Sequence, residues 1–231
     1  MVEREFVWAL IQEKISNLSE EACDKFVSYY CLLAEWNQKM NLTAIIEPEA
    51  VAAKHFLDSL AALPYLTDGA AVVDVGTGAG FPGVPLLIVN PTLRVTLADS
   101  LQKRITFLKT LCAELGLTAT CLHMRAEDMG RDPKYRETFD AALTRAVAPL
   151  PVLLELTLPL VRVGGQSICY KGETYAELPL AANAAHVLGG TLSQVPVPAD
   201  YGVRNLILCT KKTPTPSVYP RKAGIPVKKP L

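Results

Sequence analysis

Asp74-Val75-Gly76-Thr77-Gly78-Ala79-Gly80-Phe81-Pro82-Gly83 is the stretch on which the fold turns. A short apolar run at 70–75 precedes it and an apolar segment at 86–89 follows. Strand, glycine-rich bend and helix is the order in which open parallel sheets build a ligand site. Glycines are needed there because a side chain would hold the ligand away from the backbone. Pro82 suits a first helical turn. Two registers fit the bend. Gly78, Gly80 and Gly83 spell GxGxxG, the dinucleotide fingerprint. Asp74, Gly76, Gly78 and Gly80 spell an acid followed by alternating glycines, the form typical of enzymes that use S-adenosylmethionine. The second register is favoured. A carboxylate beside the loop suits the donor's ammonium group, directly or through water, and does not suit a pyrophosphate.

Downstream, strands and helices alternate. Strands are expected at 70–75, 93–98, 118–124, 139–144 and 166–170, the last entered through a turn at Gly164-Gly165. Helices are expected at 101–115, 152–160 and 175–188, and two final strands at 191–197 and 205–210. This rhythm means an α/β fold: a mostly parallel seven-stranded sheet with helices on both faces, its last two strands forming an antiparallel hairpin at one edge.

Upstream, the first seventy residues read as helical. Ser19 caps a helix that opens with Glu20 and Glu21, and Ala22, Phe26, Tyr29, Leu33, Trp36 and Met40 form one apolar stripe along it. A further helix is expected from Pro48 to about Leu63, ended by Pro64. Three segments follow: a helical extension at 1–66 packed over the cofactor edge, a Rossmann-like core at 67–212, and a basic, proline-rich arm at 213–231, ordered or loose.

Half of the 231 residues are apolar and a fifth are charged, the composition of a globular chain. No apolar run is long enough for a membrane span, and the charged N-terminus lacks a signal-peptide core, so a cytoplasmic protein is expected. The six cysteines form no CxxC pair, which argues against a zinc site and for buried, reduced thiols. Net charge is zero but unevenly spread. Residues 1–70 carry a balance of −6 and residues 200–231 a balance of +6. A basic tail is either a phosphate-binding device or a solvated end.

Other polar residues gather where the strands are expected to end. Asp99, 23 residues past Gly76, suits both ribose hydroxyls of a nucleoside and equally a helix N-cap. In Arg125-Ala126-Glu127-Asp128, an acid could accept from an adenine amine while Ala126 leaves room for the ring; a solvated polar loop is the alternative. Arg145 follows the fourth strand. An arginine beside a sulfonium better serves an RNA phosphate or a base edge.

Together these residues resemble the ribosomal RNA small-subunit methyltransferase G family, also called glucose-inhibited division protein B. The resemblance covers nearly the whole chain: Asn41-Leu42-Thr43, His55 with Asp58-Ser59-Leu60, Asp74 through Gly83, Asp99-Ser100 with Lys103-Arg104, Phe107-Leu108, Arg125 with Glu127, Arg145-Ala146, Lys171-Gly172, and Tyr219-Pro220-Arg221 before Gly224-Ile225-Pro226. It implies a class I methyltransferase fold and methylation of N7 of a guanosine in 16S ribosomal RNA, on free RNA or a 30S particle. Carried over, Gly76, Phe81, Ala126, Glu127 and Arg145 look like cofactor-binding positions, and the reading of the bend and the second strand's end adds Asp74, Gly78 and Asp99. The expected RNA-facing positions are His55, Arg125, Arg145, Lys171 and Arg221, with His55 equally readable as a packing residue. Thr77 stands where many relatives have a serine or alanine.

Absent signatures agree with that chemistry. No Pro-Cys dipeptide marks a cysteine nucleophile, and no Asp/Asn-Pro-Pro-Tyr stretch marks amine methylation. Guanine N7 carries its own in-plane lone pair, so no general base and no metal are expected; alignment does the work. A nicotinamide-dependent oxidoreductase and a non-catalytic RNA-binding assembly factor are the competing readings.

Overall fold

The computed structural model describes residues 4–145, 148–174 and 176–231. Ala146 and Tyr175, the latter the expected start of a helix, lie outside them.

Seven strands form one sheet: β1 (Ala71–Val75), β2 (Arg94–Asp99), β3 (Thr120–His123), β4 (Phe139–Thr144), β5 (Val161–Lys171), β6 (Gly190–Val197) and β7 (Arg204–Lys211). Their order is β3-β2-β1-β4-β5-β7-β6. The first five are parallel, and β7 lies antiparallel between β5 and β6. The hairpin is therefore at the expected edge, with its second strand inserted inward. The strand order reverses between β1 and β4, and open sheets place their ligand crevice at such a reversal.

Between the strands run α4 (Gly83–Val89), α5 (Gln102–Glu114), α6 (Ala126–Met129), α7 (Leu150–Thr157) and α8 (Glu177–Val187). One face of the sheet packs its apolar residues with α4 and α5 into a core that also takes in α1 (Arg4–Lys14) and α2 (Glu20–Met40). The other face packs beneath α7 and α8. Ser19 does cap α2: its extended backbone lets Oγ accept from the Ala22 N–H at 3.1 Å. Phe26, Tyr29 and Leu33 of its stripe are buried.

Three expectations need correction. The helix after Pro48 is not uniform: α3 (Pro48–Val51) widens into a π-helical turn at Ala52–Leu57 and tightens into a 3-10 turn at Leu60–Tyr65, with Pro64 inside it. Proline's φ suits a helical turn, so Pro64 did not end the winding. Pro82 stands just before α4, which begins at Gly83. Gly164-Gly165 is not a turn into β5 but a bulge within it: β5 starts at Val161, and its register against β4 shifts between Phe139 and Ala141. Gly165 is required there, since a Cβ would stand 2.5 Å from the Asp140 carbonyl.

The tail is ordered. Arg136 donates to the carbonyls of Tyr219 (2.7 Å) and Thr215 (2.6 Å), and Arg131 to that of Pro220 (2.9 Å). A short helix, α9 (Ile225–Lys228), follows and packs near α7.

Candidate functional site

Two cavities open at the carboxyl ends of the central strands and share Gly76. The larger, about 740 Å³, lies between the glycine bend, the π-helical turn and the β6–β7 hairpin. The smaller, about 190 Å³, lies between β2, the start of α6, and α7.

The bend is built around buried Asp74. Its Oδ2 accepts from Thr77 Oγ1 (2.6 Å) and the Gly83 N–H (2.8 Å), tying the strand end to the start of α4. Among the described residues its Oδ1 has no hydrogen-bond partner. Burial pushes the carboxyl up to about 6 against these bonds. Thr77 is itself buried and spends its hydroxyl on the bond to Asp74. Gly76 and Gly78 have φ of +69° and +61°, and a Cβ on Gly76 would meet nothing within 4 Å. Its backbone is therefore open on the cavity side, as a cradle for a ligand requires. Gly83 does something else. A Cβ there would lie 2.6 Å from Leu97 Cδ2, so this glycine serves helix–sheet packing and not a pyrophosphate. The N-terminal helices support the bend from behind: Tyr29 donates to the Ala79 carbonyl at 2.6 Å and stacks on Phe81.

At the small cavity, Asp99 caps the turn into α5. Oδ1 accepts from the Leu101 N–H (2.9 Å); Oδ2 accepts from the Gly78 N–H (3.0 Å) and Arg104 (3.1 Å). Asp99, Arg125, Ala126 and Glu127 all line this cavity. Arg125 is the backbone cap of α6, and Glu127 Oε1 accepts from the Gly224 N–H at 3.2 Å.

At the large cavity, His55 stacks on Phe81 at 4.5 Å between centroids. Arg145 donates to His55 Nδ1 (3.1 Å), to the Lys54 carbonyl (3.0 Å) and to Asp58 Oδ2 (3.2 Å), with its guanidinium over the Phe81 ring. A guanidinium can only donate, so His55 Nδ1 accepts, and its Nε2–H donates to Thr43 Oγ1 at 2.9 Å. Burial, reinforced by the Arg145 charge, lowers the imidazole to about 3. Asp58 also takes two bonds from Arg204, each 2.7 Å, and one from the Tyr201 hydroxyl, 3.1 Å.

The structure thus brings Gly76, Gly78, Phe81, His55 and Arg145 to the large cavity and Asp99, Arg125, Ala126 and Glu127 to the small one. Asp74 lies beneath the bend and lines neither. Lys171 and Arg221, expected at the RNA, also line neither. Lys171 binds Glu177 (2.9 Å) and the Ala148 carbonyl (3.0 Å), and Arg221 binds the buried carboxylate of Glu155. A strand-end lysine and a tail arginine look exposed in sequence, but Glu177 at the start of the next helix and Glu155, 66 positions back, match them. Asp58, Tyr201 and Arg204 were not singled out for a role. Asp58 sits three residues from His55 and was within reach of a helix-face argument; the hairpin residues gave no local signal.

A sequence model of the family described as rRNA small subunit methyltransferase G matches residues 22–205. A protein of that name from Acetivibrio thermocellus is 48% identical over 220 residues, 93% of this chain and 91% of the relative. Its namesake from Exiguobacterium sibiricum is 47% identical over 238 residues, covering all of both chains. Among solved structures, a methyltransferase from Pyrococcus furiosus aligns with a TM-score of 0.55 at 13% identity, over 79% of this chain and 95% of that one. A SAM-dependent methyltransferase from Aquifex aeolicus aligns with a TM-score of 0.52 at 17% identity, over 71% and 93%. These likenesses show the class I methyltransferase fold. Among the described residues no helix is long and apolar enough to cross a membrane, and none forms a cluster of three or more metal-ligating side chains.

Proposed function

This chain belongs to the rRNA small subunit methyltransferase G family and is an S-adenosylmethionine-dependent methyltransferase acting on small-subunit ribosomal RNA; we propose that its target is N7 of a guanosine in 16S ribosomal RNA. The two cavities fit the donor's two halves. Asp99, Ala126 and Glu127 would hold the adenosine, and Gly76 and Gly78 the methionine end, with Asp74 fixing the bend from below. When bound, the cofactor supplies an electrophilic methyl group to a nucleophile placed in the large cavity.

The observation that carries the choice of N7 is the state of the imidazole and the carboxylate that line that cavity. His55 has Nδ1 occupied by Arg145 and donates from Nε2 to Thr43; Asp58 is saturated by Arg145, Arg204 and Tyr201. Neither is free to remove a proton. Guanine N7 has no proton to lose, whereas an amine or a hydroxyl would need a base. The residues here orient and desolvate. His55 and Phe81 offer a flat surface at the cavity wall, and Lys54, Arg104, Arg145 and Arg204 give the mouth a positive field for the RNA backbone.

The test is methyl transfer from labelled donor to 16S RNA, offered free and within 30S particles, with the modified atom mapped. Label at guanine N7 is expected. Label on an exocyclic amine or a ribose would overturn the reading, and no label on either RNA would favour a binding factor. Comparing the two substrates identifies which form is used.

A further inference from the structure

We infer that the last eight residues complete the cofactor's adenosine cavity, with Val227 as its outer apolar wall and the Gly224 amide as the group that orients Glu127. This rests on the reading of the small cavity as the adenosine site.

The first support is anchorage. Arg131 and Arg136, on the loop after α6, hold the carbonyls of Thr215, Tyr219 and Pro220, and Glu155 on α7 accepts from both the amide and the guanidinium of Arg221. Gly130 permits this approach, since a Cβ there would lie 2.8 Å from Pro220 Cγ. The tail is thus bonded to the same two elements that wall the small cavity.

The second is placement. Beyond these anchors the chain turns at Gly224, whose φ of +81° favours glycine, and its amide donates to Glu127 Oε1 at 3.2 Å. That bond leaves Glu127 Oε2 as an acceptor. Pro226 is buried, and Val227 lines the cavity while 63% exposed. A valine so exposed gains little from the fold, and it gains burial from a ring placed against it. Val152 and Leu153 of α7 line the same cavity. A purine needs apolar cover on its faces and a polar partner at its edge; Val227 and Glu127 supply one of each.

Among the described residues, the one buried charge contact of the arm is also at this anchor: Arg221, one of the four cations in residues 213–231, is paired with Glu155.

The test is calorimetric titration of the full-length protein with S-adenosylhomocysteine, alongside RNA binding without cofactor. Val227→Asp is expected to weaken the cofactor product roughly tenfold, Val227→Ile to stay near wild type, and RNA affinity to be unchanged in both. A chain ending at Ala223, which keeps the Arg221–Glu155 anchor, should match Val227→Asp. Wild-type cofactor affinity in Val227→Asp and in the shortened chain overturns the inference, leaving the cavity assignment intact. Loss of RNA affinity alone overturns it in favour of an RNA-binding arm. Failure of the wild-type protein to bind S-adenosylhomocysteine overturns both readings.

Discussion

The Tyr29 hydroxyl lies 2.6 Å from the Ala79 carbonyl, joining the second N-terminal helix to the glycine bend of the core. Both residues are buried, and among the described residues no second hydrogen bond reaches that carbonyl. Tyr29→Phe should cost about 1–3 kcal/mol, the penalty for leaving a buried acceptor unpaired. Urea unfolding measures that loss, and calorimetry should show weaker cofactor binding because the bend loses its brace. An unchanged affinity would mean that the bend holds its shape alone.

The glycines divide by what surrounds them. Gly83→Ala forces a methyl to 2.6 Å from Leu97 Cδ2 and 3.0 Å from Asp74 Oδ2 and should cost about 1–3 kcal/mol of stability by overpacking. Gly76→Ala meets open space; its cost is the left-handed backbone, about 1–2 kcal/mol. Its larger effect should be on cofactor affinity. Paired denaturation and binding measurements test the contrast; equal binding loss in both variants would contradict it.

Asp58 is the shared acceptor of Arg145, Arg204 and Tyr201. Asp58→Ala strips two partly buried guanidinium groups of their counter-charge. A loss of about 3 kcal/mol is expected, at the low end for broken buried pairs because both arginines keep some solvent contact. Activity should fall with it. Asp58→Asn keeps one acceptor and should lose less in both measures.

His55 sets an acid limit. Its folded value of about 3 lies below its ordinary 6.5, so only the unfolded chain takes up the proton as pH falls between those values. The stability it protects is complete above 6.5 and declines below, by about 2 kcal/mol at pH 5. Asp74 has the opposite sign: raised to about 6 from 3.8, it takes its proton first in the folded chain and adds stability as pH falls through that window. A direct pH scan mixes the two. The difference between wild type and His55→Gln isolates the histidine, and it should move about 2 kcal/mol in the variant's favour from pH 7 to pH 5. A constant difference would mean that His55 titrates normally.

Much of this architecture was legible before the structure. The periodicity around Ala22–Met40, the cap at Ser19 and the apolar runs at each strand are local signals, and the seven-stranded sheet followed from their alternation. The site was legible at the bend and the strand ends, since ligands of open sheets gather there: Gly76, Asp99, Ala126 and Glu127 all line the paired cavities. The acidic head of the bend was legible as a residue but not in its position. Whether Asp74 faces a ligand or the core depends on how α4 returns over β1, which places the Gly83 amide on its carboxylate.

Charge was the least readable quantity. Lys171 and Arg221 read as RNA-facing cations, yet Glu177 and Glu155 hold them, and Lys211 is buried against Glu137, 74 positions away. A run of residues names its charges without naming their partners. The sequence by itself determined the order of elements and the place of the glycine bend, because hydrogen bonding and apolar periodicity act between near neighbours. Only the tertiary structure decided which cations face solvent, that His55 is neutral, and that a tail residue lines the small cavity, because Coulomb energy and burial depend on distance in space and not along the chain.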